Sequence, residues 1–306
     1  MGERQQVEDA LKYLYDAAES GQAVTAADLA GAMGVAASRD DGPLALLLAA
    51  ALVRDDGGRL TLTDQGRDYA LQVIRAHRLY ETYLAHRTGH PTNTWHGQAH
   101  AAEHALSRAE VERLAISLGN PAYDPHGDPI PSASGVMPPQ RGEPLTQRAV
   151  GWAGRTVHVE DEPPELYREL SRAGLAPDVR LRVDSIGPDG YTLRVDGQTH
   201  RISARAAAQL LTDELADDEV FDDSVFRLCE VRIGERAEVV GISPLIRGLA
   251  RSRLLDLGVV PGTVLEIDMV GPGGDPVAYR IRGASIALRR EQSERIVVRR
   301  HGEEAA

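Results

Sequence analysis

Cysteine and long apolar runs are the scarcest features of this sequence of 306 residues. The single cysteine, Cys229 in "FRLCEVRIG", excludes an internal disulfide framework, and its strand-like surroundings predict a buried core position. No stretch approaches the roughly 18 apolar residues of a membrane span, and the start, "MGERQQVEDA", has no apolar signal region. We therefore expect a cytoplasmic protein without membrane insertion.

Positive charge is also scarce. The 34 lysines and arginines are outnumbered by 46 acidic residues, which gives a formal net charge of -12. This balance excludes a large non-specific nucleic-acid footprint, which usually needs a basic domain or stripe, but it allows a local basic patch. The length is sufficient for two or three domains, each with its own core.

The first 63 residues have the pattern of a winged helix-turn-helix. The stretch "VEDALKYLYDAAESG" is amphipathic and ends at Gly21, and "VTAADLAGAMG" opens with the capping residue Thr25. After a further apolar helix, "LVRDDGGRLTLTDQG" predicts two short strands around a tight turn. A long helix from about Asp64 to Arg87 follows, and we assign residues 64–140 to a helical domain with a Pro-rich tail.

The remainder of the chain repeats itself at one fixed offset. Gly174, Pro177, Leu181, Val183, Asp184, Gly187, Pro188 and Gly190 recur 84 positions later as Gly258, Pro261, Leu265, Ile267, Asp268, Gly271, Pro272 and Gly274. Residues 146–215 and 226–300 are therefore predicted to be two copies of one small antiparallel β-barrel, joined by an acidic run that we expect to be a solvated linker. The fold class expected for the whole chain is α+β.

Histidines and carboxylates occupy helix faces where apolar residues are usual. In "HGQAHAAEH", residues 96–104, the donors lie at i, i+4, i+7 and i+8 and share one face. These are His96, His100, Glu103 and His104; the preceding helix adds His77 and Glu81, and the first helix adds Asp9. Donor stripes on two successive helices predict a metal site. Imidazole and carboxylate without thiolate suit divalent Mn, Fe, Co, Ni or Zn and disfavour Cu(I).

No hydrolase motif accompanies these donors. The sequence lacks His-Glu-x-x-His and a nucleophile elbow, and nothing supplies a general base beside an open metal position. We therefore do not expect an enzyme.

The order of these segments resembles a known family. A winged helix followed by "IRAHRLYETYL", "WHGQAHAAEHALSRAEVERL" and "GNPAYDPHGDPIP" is similar to the metal-dependent repressors of the diphtheria-toxin-repressor (DtxR/MntR) family. The segments "LLDLGVVPGTVLEI" and "IRGASIALRREQSERIVV" resemble the FeoA domain found with ferrous-iron uptake systems. The resemblance implies a homodimeric, DNA-binding repressor of iron or manganese homeostasis. Its cofactor would be a divalent metal, with Mn²⁺ or Fe²⁺ expected and Zn²⁺ or Co²⁺ as alternatives.

The resemblance also assigns ligands and an interface. One metal site would comprise His77, Glu81 and His96, completed from the first barrel by Glu162 and Glu165, and the second, activating site would comprise Asp9, His100, Glu103 and His104. Lys12 departs from the pattern, since manganese-type members supply a further carboxylate there. The dimer would form around the helices between Val73 and Leu118, through Val73, Leu79, Leu84, Leu106, Leu114 and Ile116.

The DNA-reading segment departs from a usual recognition helix. It reads "AASRDDGPLALLLAAALV", in which adjacent carboxylates repel phosphate, and Asp41 is expected to cap a shortened helix from Pro43 that is apolar and buried all round. DNA contacts are then expected from Arg39, Arg54 and Arg59. The alternative is a metal-sensing dimer that has lost DNA binding and acts by protein contact, for example on a metal transporter, through its FeoA-like module.

Overall fold

The computed structural model describes residues 2–35 and 42–302. The chain forms two compact units. The first comprises Met1–Leu84, His90–Asp124 and Asp128–Pro139, and the second comprises Ala85–Gly89, Pro125–Gly127 and Gln140–Ala306. Within the described ranges, no helix is long and apolar enough to cross a membrane.

The first unit is built mainly from helices. Its elements are α1 (Glu3–Glu19), α2 (Ala26–Met33), α3 (Gly42–Ala49), β1 (Val53–Asp56), β2 (Arg59–Leu62), α4 (Asp64–Arg87), α5 (Trp95–Glu103) and α6 (Arg108–Ser117). Helix α2 begins at the predicted cap, because Thr25 and Asp28 form a reciprocal capping box, and it ends at the left-handed Gly34. Three helices followed by a hairpin give the arrangement predicted for a winged helix-turn-helix.

The hairpin of β1 and β2 forms the wing. The strands pair antiparallel from Val53 opposite Leu62 to Asp56 opposite Arg59. Gly57 and Gly58 make the turn at positive φ, which glycine adopts without steric cost.

Helix α3 differs from its prediction. It begins at Gly42, and only Pro43, Leu44 and Leu47 are buried, whereas Leu46 is 36% exposed. The expectation of a helix buried on all sides was wrong, because one face of this short helix packs on the core and the opposite face does not. The predicted cap Asp41 and the predicted DNA contact Arg39 lie outside the described residues.

Helix α4 has the predicted bounds and places its donors on a buried face. Ala76 and Leu79 lie in one apolar cluster with Val111 and Ala115 of α6. His77 and Glu81 on the same helix are only 6% and 2% exposed.

The second unit contains two sheets with the same topology. Its elements are β3 (Glu143–Pro144), β4 (Ala153–Val159), α7 (Pro164–Arg172), β5 (Arg180–Gly187), β6 (Gly190–Val195), β7 (Gln198–Ile202), α8 (Ala204–Ala207) and β8 (Leu210–Glu214), followed by β9 (Phe226–Arg227), β10 (Arg236–Ile242), α9 (Gly248–Asp256), β11 (Val264–Val270), β12 (Val277–Ile281), β13 (Ala284–Leu288), α10 (Arg290–Ser293) and β14 (Ile296–Arg300). The strand orders are β3-β8-β4-β5-β6-β7 and β9-β14-β10-β11-β12-β13, antiparallel throughout.

Even the irregularities of the two sheets correspond. The register of β5 against β6 shifts between Val183 and Ser185, and that of β11 against β12 shifts between Ile267 and Met269. Equivalent bulges in equivalent strands are the structural counterpart of the sequence repeat. The predicted α+β class with two small strand modules is confirmed.

Cys229 does not lie in a strand. Strand β9 ends at Arg227, and Leu228–Glu230 form a 3-10 turn in which Cys229 is half-buried. The expected core position was wrong because Leu228 and Val231, three residues apart, turn into the core and leave the intervening side chains nearer the surface.

Candidate metal centre

Helices α1, α4 and α5 bring the predicted donors together in two groups. The His104 cluster consists of Asp9, His100, Glu103 and His104, and the His77 cluster consists of His77, Glu81 and His96. Within each group, one donor atom per residue lies within 4.8 Å of the others.

The His104 cluster has separations suited to one ion. His104 Nε2 lies 3.3 Å from Asp9 Oδ1 and 3.4 Å from Glu103 Oε1, and His100 Nδ1 lies 3.3 Å from the same Glu103 oxygen. Two donors held about 2.1 Å from one ion at tetrahedral or octahedral angles lie roughly 3.0 to 3.4 Å apart. These three donor pairs therefore already lie at or near metal-ligand spacing, and His100 Nδ1 is somewhat farther from Asp9 Oδ1, at 3.8 Å.

Two of these atoms are buried without a hydrogen bond. In the part of the chain that the structure describes, neither Asp9 Oδ1 nor His104 Nε2 has a hydrogen-bonding partner. A buried polar atom left unsatisfied costs about 1–3 kcal/mol, and a shared cation would satisfy both atoms at once. The residues present therefore fit a divalent metal.

Glu8 orients His104, and sequence reasoning missed it. Its carboxylate is 1% exposed and lies 2.6 Å from His104 Nδ1, while the other oxygen accepts hydrogen bonds from Tyr69 and Arg4. An Nδ1–H donated to Glu8 leaves the lone pair of His104 on Nε2, where a metal would bind. The only signal in the sequence was a carboxylate next to Asp9.

The His77 cluster is buried at one end and open at the other. His77 Nε2 lies 3.3 Å and His96 Nδ1 lies 3.6 Å from Glu81 Oε1, and the two imidazole rings are 4.8 Å apart. The side chain of His96 is 47% exposed, so it gives the cluster access to solvent.

Glu103 joins the two clusters. Its Oε2 lies 2.5 Å from His77 Nδ1, and both of its oxygens accept from Lys12 Nζ, at 3.0 and 3.1 Å. Burial raises the pKa of Glu103, but the hydrogen bond with His77 and the charge of Lys12 outweigh burial and lower that pKa. Burial lowers the pKa of His77, and its hydrogen bonds to Glu103 and Glu81 outweigh this and raise it. The two shifts favour a charged pair.

The other predicted site residues lie on other elements. Glu162 and Glu165 are exposed side chains of the second unit, with Glu165 in the first turn of α7, and their part in the first metal site stays a prediction. Arg54 and Arg59 are exposed on the wing, one on each strand.

Two family sequence models match this chain. Residues 63–132 match the one described as iron dependent repressor, metal binding and dimerisation domain. Residues 226–300 match the FeoA domain, and they include β9 to β14.

The chain is also similar to individual proteins of known function. The iron-dependent repressor IdeR of Mycobacterium tuberculosis is 33% identical over 160 residues, covering 48% of this chain and 69% of IdeR. A manganese-dependent transcriptional repressor, solved in complex with manganese, matches with a TM-score of 0.61 and 32% identity, over 68% of this chain and 100% of that one. ScaR with bound Zn²⁺ gives a TM-score of 0.56 and 29% identity, over 68% of this chain and 99% of ScaR. This chain belongs to the iron-dependent repressor family.

Proposed function

We propose that this protein is a divalent-metal-responsive, DNA-binding transcriptional regulator of iron or manganese homeostasis. The observation that carries the proposal is the position of the His104 cluster, which joins Asp9 on α1 to three donors at α5 and its C-terminus. Helix α1 packs through Leu11 and Leu14 into the core that also holds Leu47 of α3 and Leu60 of the wing. The cluster therefore connects the DNA-reading elements to the helical core.

The clustered residues explain how a metal would act as a switch. When bound, a divalent ion supplies two positive charges to carboxylates and imidazoles that otherwise face one another. Asp9 and Glu103 are like charges on different helices, and an ion held between them would replace their repulsion with attraction. Residues that hold one ion between the helices favour a single arrangement, which is the basis of a two-state equilibrium.

The proposed partner is DNA, bound by a homodimer. The relatives named above are described as repressors, so we propose a regulator rather than an enzyme. Exposed Arg54 and Arg59 on the wing would contact phosphates, and two wings related by dimer symmetry would contact a palindromic site.

One observation favours a second candidate function. Helix α3 exposes Leu46 and contains no charged residue, which is unusual for a helix that enters a DNA groove. A metal-sensing dimer that acts by protein contact, with the FeoA-like module as its contact surface, is therefore retained as the alternative.

The test is fluorescence anisotropy on the DNA upstream of the protein's own gene, with and without Mn²⁺, Fe²⁺ or Zn²⁺. We expect metal to strengthen binding at least tenfold in the full chain. His104→Ala should abolish this gain, because it removes the donor shared with Asp9 and Glu103. His86→Ala is the matched control, since His86 is an exposed histidine of α4 outside both clusters. Metal binding without any DNA binding at low salt would favour the protein-contact function instead.

A further inference from the structure

Lys12 occupies an unusual position beside the His104 cluster, in contact with its residue Glu103. It is the only lysine among the 34 lysines and arginines of the sequence. Its ammonium group bonds both oxygens of Glu103, whose side chain is fully buried, while the Lys12 side chain is 20% exposed. A compact cation on a flexible stem therefore lies inside a group of metal-ligating side chains.

The ammonium group and a metal ion need the same oxygen. Glu103 Oε1 is 3.0 Å from Lys12 Nζ, and it also lies 3.3 Å from His100 Nδ1 and 3.4 Å from His104 Nε2. An ammonium group has three donors and no lone pair, so Lys12 cannot serve as a ligand while it is charged. The ammonium group of Lys12 therefore either stays paired with Glu103 or moves away when another cation takes its place.

The charges around the cluster support a competition between Lys12 and a metal ion for Glu103. Asp9 and Glu103 are the carboxylates of this cluster, and Lys12 places a positive charge on Glu103, which already pairs with His77 through its other oxygen. A divalent ion bound there would be repelled by Lys12 across a few ångströms of partly buried protein, where charges are weakly screened.

We propose that Lys12 is a tethered competitor of the metal ion, which neutralises Glu103 in the metal-free protein and must be displaced from Oε1 when the His104 cluster binds metal. This inference rests on the metal site of the proposed function. The competition lowers the affinity of the site and so sets the metal concentration at which the switch operates. Lys12 is thus a residue that tunes the response without being a ligand.

Titration calorimetry with Mn²⁺ on the metal-free full chain tests the competition. Lys12→Met keeps most of the length of the side chain and removes its charge, so we expect the dissociation constant to fall about tenfold or more. Lys12→Arg should stay near wild type because it keeps the charge. Arg67→Met is the control for net charge, since Arg67 pairs with Glu19 outside the cluster, and its affinity should not change.

The possible outcomes distinguish failure of the Lys12 proposal from failure of the proposed metal-responsive function. If wild type and Lys12→Met bind with equal affinity, or the variant binds more weakly, the competitor role is wrong and the metal site stands. If none of the four proteins binds a divalent ion, the proposed function itself fails.

A second measurement uses the wild-type protein, so it does not depend on whether a variant folds. Labelling with ¹⁵N-lysine gives one side-chain ammonium resonance, that of Lys12, because the sequence has no other lysine. Diamagnetic Zn²⁺ should shift or broaden this resonance as the bond to Glu103 is lost. A resonance unchanged at saturating Zn²⁺ would show that Lys12 keeps its partner, and it would overturn the proposal.

Discussion

At the scale of single residues, the candidate site depends on side chains that orient the donors. Glu8 is such a residue, since it is buried, accepts from Tyr69 and Arg4, and fixes the ring of His104 from the side opposite Asp9. A donor that is already oriented loses little conformational freedom on binding metal. Carboxylates in this position typically contribute 10- to 100-fold to metal affinity.

We therefore expect Glu8→Gln to weaken Mn²⁺ binding by about tenfold or more. The amide retains the size of the side chain but no longer stabilises an Nδ1–H on His104 as a carboxylate does. Titration calorimetry measures the affinity, and Glu3→Gln, an exposed change on the same helix, is the control. Equal affinities for Glu8→Gln and Glu3→Gln would contradict the orienting role.

The sequence predicted the donors but not their partners. Helical spacing alone placed His96, His100, Glu103 and His104 on one face, because 3.6 residues per turn fixes that relation locally. The contacts of Glu8 with His104 and of Lys12 with Glu103 join residues 96 and 91 positions apart. Such contacts depend on how α1 packs against α5, which no local pattern specifies.

At the scale of elements, the wing is the part most directly suited to DNA. Arg54 and Arg59 are exposed on its two strands, but Asp55 and Asp56 lie on the same hairpin and balance their charge. The wing therefore offers few phosphate contacts, and binding should depend strongly on those two arginines.

We expect Arg54→Ala with Arg59→Ala to weaken metal-dependent DNA binding and to flatten its salt dependence. Each phosphate contact that is lost lowers the slope of log affinity against log salt by about 0.9, so the double variant should lose about two units. Anisotropy over a series of salt concentrations measures the slope. Arg113→Ala, an exposed change on α6, is the control. If the double variant has the same slope of log affinity against log salt as the wild type, the two wing arginines do not contact the DNA.

Elements defined by local signals were predicted, and those defined by distant pairing were not. The bounds of α4 and the cap of α2 follow from periodicity and capping chemistry. The acidic run before β9 was expected to be a solvated linker, yet its start forms β8, and Glu219 pairs with Arg155 and Arg180 of the first barrel. These partners lie about 40 to 60 positions earlier, beyond the range of local patterns.

At the scale of the whole molecule, the structure narrows the proposed dimer interface. Val73, Leu79 and Leu84 are no more than 4% exposed within the chain, so they belong to its own core and are not available to a second copy. They were assigned to the interface because apolar periodicity indicates that a residue is buried, but it does not tell whether the residue packs in the chain's own core or against a second copy. Leu106 and Leu114 are partly buried against the apolar cluster that contains Leu79, and Ile116 on α6 is the most exposed of the six, at 68%.

We predict that Ile116→Glu converts the protein from a dimer to a monomer. In a symmetric dimer each substitution acts twice, because the same patch occurs on both copies, and an unpaired carboxylate at an apolar contact opposes association. Light scattering coupled to gel filtration measures the mass, and Val136→Glu, at a site 66% exposed in the same unit, is the control.

Metal binding per chain should persist in Ile116→Glu, since neither cluster includes α6, while DNA affinity should fall steeply because a palindromic site needs two wings. A dimeric Ile116→Glu beside a monomeric Val136→Glu would move the interface to the segment after α6, and a variant that is monomeric yet binds DNA at full strength would contradict the dimeric mode of recognition.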